Sequence, residues 1–181
     1  MRVIAGEHRG RRIEAPPGRT TRPTPDRVRE ALFSSLEARL GSPGSLRDAR
    51  VLDLFAGSGA LARLRENLEE LSLLERSRIL PGEVRSALAA LARSQERFDA
   101  VFLDPPYGDP EAVEALRTLG RSEILRSGGV AIFEHATRSD PPVPAEWIRE
   151  RTRAYGTVAI TVLSRGGPPA EGASSRPENA S

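Results

Sequence analysis

The sequence predicts an α/β fold: a parallel sheet covered on both faces, with an antiparallel edge at its C-terminal end. Three observations carry this. Strand-length apolar runs alternate with helix-period segments from about residue 50 to 134. Two of those runs end in turns suited to ligands, the glycine loop Ala56-Gly57-Ser58-Gly59 and the turn Asp104-Pro105-Pro106-Tyr107. Both fall at the carboxyl ends of strands, where open α/β sheets bind ligands. Finally, Trp147 to Tyr155 and Thr157 to Leu163 alternate as a hairpin turning at Gly156.

Taken in order, residues 1–14 read as a short hairpin. Val3 and Ile4 start one strand, Gly6 to Gly10 supplies the turn, and Arg11-Arg12-Ile13 returns. Pro16-Pro17-Gly18 breaks it. Thr20 to Thr24 is extended, because residues before proline avoid the α region. Thr24 suits an N-cap, Pro25 the first helical position and Asp26 the helix dipole. Val28, Ala31, Leu32 and Leu36 share one face through about Leu40, and Gly41-Ser42-Pro43-Gly44 ends the helix. Val51 to Leu54 is a strand. Beyond the glycine loop, Leu61, Leu64, Leu68 and Leu71 fall at helical spacing. Arg78-Ile79-Leu80 is a short strand ending at Pro81-Gly82-Glu83, and Val84, Ala87, Leu88 and Leu91 mark the next helix. Phe98 to Leu103 is a buried strand stopped by two prolines, which cannot donate to a ladder. Glu111 to Leu119 is a helix with Val113 and Leu116 inward, and Gly128-Gly129 introduces the strand Val130 to Glu134. From Ser164 on, Gly, Pro, Ser, Ala and Glu dominate, and disorder is expected. The expected organisation is a hairpin and helix over 1–44, an α/β core over 45–163 and a tail over 164–181.

A chain of 181 residues suits one domain. No run approaches the ~20 apolar residues of a membrane span, and the N-terminus has no signal-peptide core. There is no cysteine, so disulfides, thiolate chemistry and Cys-ligated metals are excluded, and two histidines make a His-rich metal site unexpected. A cytoplasmic location is expected, with no membrane and no metal. Net charge is only +2, yet every basic side chain is arginine. A GC-rich genome accounts for that preference, but the distribution says more. Residues 1–29 hold eight arginines against three acids, the shape of a nucleic-acid footprint on a near-neutral chain.

Asp104-Pro105-Pro106-Tyr107 carries the most specific chemistry. The Asp104 carboxylate and the Pro105 carbonyl can accept the two hydrogens of a planar amine. Tyr107 can lie on an aromatic ring, a contact worth ~1–3 kcal/mol for a nucleobase. The glycine loop allows close backbone approach at a helix N-terminus, and Asp53 at the strand end can bind an amine or a hydroxyl. The loop is neither the three-glycine dinucleotide fingerprint nor a P-loop, so neither a nicotinamide cofactor nor ATP is favoured. Glu134-His135 reads as a polar strand end, and Trp147 as an edge-packing residue.

Val51 to Gly59 resembles the S-adenosylmethionine loop of class I methyltransferases, and Asp104-Pro105-Pro106-Tyr107 resembles their (Asp/Asn)-Pro-Pro-(Tyr/Phe) motif. With Arg2-Val3-Ile4-Ala5-Gly6, Arg9-Gly10-Arg11-Arg12 and Thr21 through Phe33, residues 1–163 resemble the RsmD family, which methylates N2 of one guanine in 16S ribosomal RNA. The resemblance implies a Rossmann-like class I methyltransferase sheet with an antiparallel C-terminal hairpin and a small N-terminal hairpin plus helix. It implies S-adenosylmethionine held by Asp53, Phe55, Ala56, Gly57, Ser58 and Gly59. Glu83 would lie on the adenine amine, with Thr24 and Arg27 closing over the cofactor. Asp104, Pro105, Pro106 and Tyr107 would form the catalytic turn. Arg9, Arg11, Arg12 and Arg22 would contact RNA. The expected partner is ribosomal RNA or a small-subunit assembly particle, and the expected state a monomer.

One departure from the family pattern stands out. Such enzymes have, before the Glu83 region, a helix, a second strand ending in a ribose-binding acid, and a further helix. Here Ala62 runs into Arg63 to Leu71, which resembles the end of the later helix. About two dozen residues are missing, the length of one strand and one helix. In a rival alignment Leu71 to Glu75 is the second strand, and Glu75 falls near the ~20-residue spacing of ribose acids. With the deletion, the strand at Arg78 is expected to pair directly with the first. Two other readings stay open: a nucleic-acid adenine-N6 methyltransferase, since the same turn fits that amine, and an inactive RNA-binding remnant.

Overall fold

The computed structural model describes residues 2–3, 6–14, 26–40, 46, 48–56 and 61–166. At its centre is a five-stranded sheet. The strands are β1 (Val51–Asp53), β2 (Phe98–Leu103), β3 (Leu125–Ala136), β4 (Trp147–Tyr155) and β5 (Val158–Arg165), in the order β1-β2-β3-β5-β4. β1, β2 and β3 are parallel, and β5 runs antiparallel to both β3 and β4. The helices are α1 (Asp26–Leu40), α2 (Leu61–Glu70), α3 (Val84–Arg93) and α4 (Pro110–Gly120).

Strand alternation sorts the core into two layers. On one face Val101, Leu103, Ala131, Phe133 and Leu163 pack with Leu88 and Leu91 of α3 and Leu116 and Leu119 of α4. On the other, Ala100, Val130, Ile132, Ile160 and Val162 pack with Leu36 of α1, and Leu32 lies partly buried beside them. β2 is covered on both sides, which is why its sequence is apolar without clear alternation. Burying each such leucine stabilises the fold by about 1.5–3 kcal/mol.

Trp147 takes part in the first layer. It is buried, and its indole Nε1–H donates to the Leu116 carbonyl at 2.7 Å, tying β4 to α4. Gly120 is required where those elements meet: a Cβ there would lie 2.5 Å from Glu146 Cβ. Gly156 (φ +67) occupies the first position of the two-residue turn between β4 and β5. His135 is likewise structural. It is buried, with Nε2 2.9 Å from Thr161 Oγ1, and Thr161 Oγ1 is 2.8 Å from Thr152 Oγ1.

Several expectations are corrected. Arg78-Ile79-Leu80 belongs to no strand and does not pair with β1. Its Arg78 Nη2 donates to Glu96 at 2.5 Å, and Arg50 Nη2, just before β1, donates to the same carboxylate at 2.8 Å. The segment is thus tethered beside β1 by side chains alone, because Pro81 ends it after three residues and so short a piece gains little from a ladder. Leu71 to Glu75 is a turn leading into a 3₁₀ helix at Leu74–Arg76 rather than a second strand. In α2 the buried residue is Asn67; Leu61, Leu64 and Leu68 are half-buried, and Leu71 is buried just past the helix end. In α4 the inward positions are Ala112, Ala115, Leu116 and Leu119, with Val113 half-buried. β3 begins at Leu125, ahead of the glycine pair, and a register shift between Phe98 and Ala100 accommodates the extra length. The turn over Gly6 to Gly10 is as expected; its arms are joined by the Arg2–Arg12 bridge, by the Val3 N–H donating to the Arg11 carbonyl at 2.9 Å and by the Gly10 N–H donating to the Val3 carbonyl at 2.8 Å. The expectations for Thr20 to Pro25, for Gly41 to Gly44 and for residues 167–181 lie outside the described residues.

Candidate active site

The carboxyl ends of β1 and β2 bring the two predicted acids to one place. The ladder continues one residue past β1, where the Leu54 N–H donates to the Phe102 carbonyl at 3.1 Å. Asp53 is directly opposite Phe102, and Asp104 is the first residue past the end of β2. Asp53 and Phe102, opposite each other in the ladder, face the α1 side, and Asp104 at the end of β2 is close enough for its charge to act on Asp53. The Phe33 ring of α1 lies 6.4 Å from the Phe102 ring and marks that side.

Both carboxylates open to solvent on one side, yet the protein packed behind them withdraws them from bulk water. For Asp53 this burial raises the carboxyl above its ordinary value. The Phe55 backbone N–H pulls it partly back, and repulsion from Asp104 adds to the rise. Asp104 is raised by burial. Among the described residues neither has an ion pair, so the site presents two uncompensated negative groups close enough to repel each other. A cation placed there relieves both the repulsion and the lost hydration.

The turn after β2 is built to expose its acceptors. Pro105 is buried and anchors it, while Pro106, Tyr107 and Gly108 are exposed. Gly108 adopts φ +81, and the Pro106 carbonyl accepts from the Asp109 N–H at 3.1 Å. Asp109 then caps α4, its Oδ1 accepting from the Glu111 N–H at 2.9 Å with Pro110 in the first turn. No hydrogen bond among the described residues uses the Pro105 carbonyl. Tyr107 is 57% exposed.

The N-terminal hairpin docks on α2 through a residue that sequence reading missed. Asn67 Oδ1 accepts from the Glu14 N–H, and its Nδ2 donates to the Glu14 carbonyl, both at 3.0 Å. An asparagine at an inward helical position was the available signal, since a buried amide demands partners. Arg63 adds an ion pair to Glu14 at 2.6 Å, and Arg11 Nη1 donates to the Glu70 carbonyl at the end of α2 at 3.1 Å. Arg9 and Arg12 are exposed on this hairpin.

The remaining predicted residues stand as follows. Phe55 packs against the core under the site, and Ala56 is exposed after it. Glu83 is exposed at the N-cap of α3, flanked by Leu80 and Val84, which pack on the same core layer as Phe55. No contact joins Glu83 to Asp53 among the described residues. Glu75 is exposed in the 3₁₀ turn. Gly57, Ser58, Gly59, Thr24 and Arg22 lie outside the described residues, as does the Arg27 side chain.

A parallel three-stranded core with an antiparallel pair at one edge, an acid ending β1 and an Asp-Pro-Pro-Tyr turn ending β2, define a class I methyltransferase. The family model described as conserved hypothetical protein 95 matches residues 1–63 and 60–164. The chain is similar to ribosomal RNA small subunit methyltransferase D of Escherichia coli (strain K12), 31% identical over 189 residues, covering 91% of this chain and 90% of that protein. It is also similar to YlbH of Bacillus subtilis (28% over 191 residues, 92% and 100% covered). The solved structure of yhhF from Escherichia coli matches with TM-score 0.73 and 30% identity, over 91% of this chain and 97% of that one. The chain belongs to this family, the RsmD family of methyltransferases.

The comparisons also locate the departure. The two matched segments meet at residues 60–63, just where Ala62 runs into Arg63. An alignment of 189 positions against 91% of a 181-residue chain leaves about two dozen positions of the relative without a counterpart. The structural consequence is that β1 ends the sheet: among the described residues, β2 is its only partner.

Proposed function

We propose that this chain transfers a methyl group from S-adenosylmethionine to the exocyclic N2 amine of a guanine in small-subunit ribosomal RNA. The observation that carries this reading is the acceptor pair of Asp104 and Pro105 beside exposed Tyr107, at the same strand ends as Asp53. The donor set suits a cationic cofactor, since both acids lack a counter-charge among the described residues and both are raised by burial. Asp53, Phe55, Ala56, Gly57, Ser58 and Gly59 would hold the methionine end, Glu83 the adenine amine, and Thr24 and Arg27 would close over it. Arg9, Arg11, Arg12 and Arg22 of the 1–44 arm would grip RNA phosphates, with 45–163 as the methyltransferase core.

When bound, S-adenosylmethionine supplies an electrophilic methyl on a sulfonium. The guanine N2 lone pair is delocalised into the ring and is a weak nucleophile. Two hydrogen bonds, one to the Asp104 carboxylate and one to the Pro105 carbonyl, fix the amine's orientation and concentrate electron density on nitrogen. On accepting the methyl group, nitrogen would have to shed a proton. Asp104, raised above an ordinary carboxylate, is a better acceptor for that proton than a solvated aspartate. Tyr107 stacks on the extruded base, so the target must leave its helix or lie in a loop.

Calorimetric titration with S-adenosylmethionine, followed by methyl transfer to 16S ribosomal RNA and nucleoside analysis, tests this. N2-methylguanosine supports the reading; N6-methyladenosine replaces it with the adenine alternative. The interrupted match at 60–63 and the edge of β1, which no second strand pairs among the described residues, favour a second reading, RNA binding without turnover. A folded chain that binds RNA and does not bind the cofactor would establish that one.

A further inference from the structure

We propose that the tip of the β4–β5 hairpin and the turn after β3 form a second phosphate-binding tract for the RNA substrate, held by Arg138 and Arg153. This rests on the RNA methyltransferase reading above and extends it to a surface far along the chain from the basic N-terminal arm.

The sheet's topology places these residues at the active edge. β4 and β3 both run antiparallel to β5, so they are parallel to each other, and β4 ends at the edge where β2 delivers Asp104. Arg153 is opposite Ile160 and Tyr155 opposite Val158. Ile160 and Val158 face the α1 layer, the face that Asp53 shares with Phe102. The two turns are pinned together: the Thr137 N–H donates to the Thr157 carbonyl at 3.0 Å, and Thr137 Oγ1 donates to the Gly156 carbonyl at 2.8 Å. Arg138, the next residue, is therefore fixed beside the hairpin tip. From β2 to β4 are three strand spacings, about 14 Å. Nucleotides flanking a base seated on Tyr107 would come within reach of this stretch of the edge.

The charges there are uncommitted. Arg149 on the same strand is paired with Asp140 at 2.6 Å, and Arg39 of α1 with Glu150 at 2.6 Å. Arg138 and Arg153 are exposed and have no acidic partner among the described residues. The acid closest in register, Glu134, is separated from Arg153 by Ile160, about 10 Å across two strand spacings. Arg85 and Arg93 also lack an acidic partner among the described residues, but they lie on α3, against the other face. Guanidinium groups held on a rigid hairpin suit phosphate oxygens, which they bind bidentately.

The test is RNA binding over a salt series, by fluorescence anisotropy. The probe is an RNA hairpin with an unpaired guanine in its loop. The expected result for the double variant Arg138→Ala/Arg153→Ala is weaker binding, with the slope of log K against log salt shallower by about 1.4 for two single-strand contacts. Cofactor affinity and circular dichroism should match wild type, and Arg149→Ala should keep the wild-type slope. A double variant with the wild-type slope, when Arg9→Ala/Arg12→Ala lowers it, overturns this tract and leaves the RNA reading intact. A wild-type chain that does not bind the RNA overturns both.

Discussion

Replacing Asp104 by alanine should separate activity from stability, in opposite directions. The carboxylate is proposed to accept one hydrogen of the target amine, and a hydrogen bond to a charged group is worth about 1.5–3 kcal/mol. If that bond forms in the transition state, its loss lowers the single-turnover methyl-transfer rate by roughly 10–150-fold. The same carboxylate is a burden to the free protein. Burial raises it above its ordinary value, so its ionised form is worse solvated in the folded chain than in the unfolded one. Removing it should leave the fold as stable at neutral pH, or more so, and relieve the repulsion on Asp53. The assays are single-turnover transfer of a labelled methyl group to RNA and urea unfolding followed by circular dichroism. A variant that turns over at the wild-type rate, or one that loses both activity and stability, would refute the assignment of Asp104 as an amine acceptor carried at the fold's expense.

Tyr107→Ala should raise the RNA KM by about 5–150-fold, from ~1–3 kcal/mol of stacking, while Tyr107→Phe stays near wild type; steady-state kinetics on the two variants decides it. Asn67→Ala strands both backbone groups of Glu14 and should cost about 1–3 kcal/mol of hairpin docking. Limited proteolysis should then cut near residues 6–14 sooner, and unchanged protection there would contradict the clamp. The paired acids also predict pH effects. Because Asp53 and Asp104 are raised in the folded state, the unfolded chain ionises first as pH rises. Stability should therefore fall from the ordinary carboxylate value up to the folded values and level off above them. Binding of the cationic cofactor should run the other way, strengthening as pH rises through the folded values. Flat profiles in both would remove the electrostatic account of the site.

The sequence by itself determined the class of fold and where the candidate turn falls in it. Phe98 to Leu103 had to be a buried strand, and Pro105-Pro106 had to stop it. That places Asp104, an open carbonyl and Tyr107 at a strand's carboxyl end before any coordinates are known. Gly156 turning the last hairpin was legible for the same reason: turn chemistry acts between neighbours in the chain. Ala62 running into Arg63 likewise marked the missing stretch, where the family match divides.

What depends on register and packing was decided only in three dimensions. That Asp53 comes close enough to Asp104 to feel its charge depends on the pairing of Asp53 with Phe102, which neither strand specifies alone. That Asn67, rather than the leucines around it, is the buried residue of α2 depends on the hairpin arriving to satisfy it. The fate of Arg78 to Leu80 was decided the same way. A three-residue apolar segment is a strand only where a neighbour offers it a ladder, and beside β1 it is held by the shared Glu96 instead. Local chemistry is written in adjacent residues, whereas a backbone's hydrogen-bond partners are supplied by distant ones.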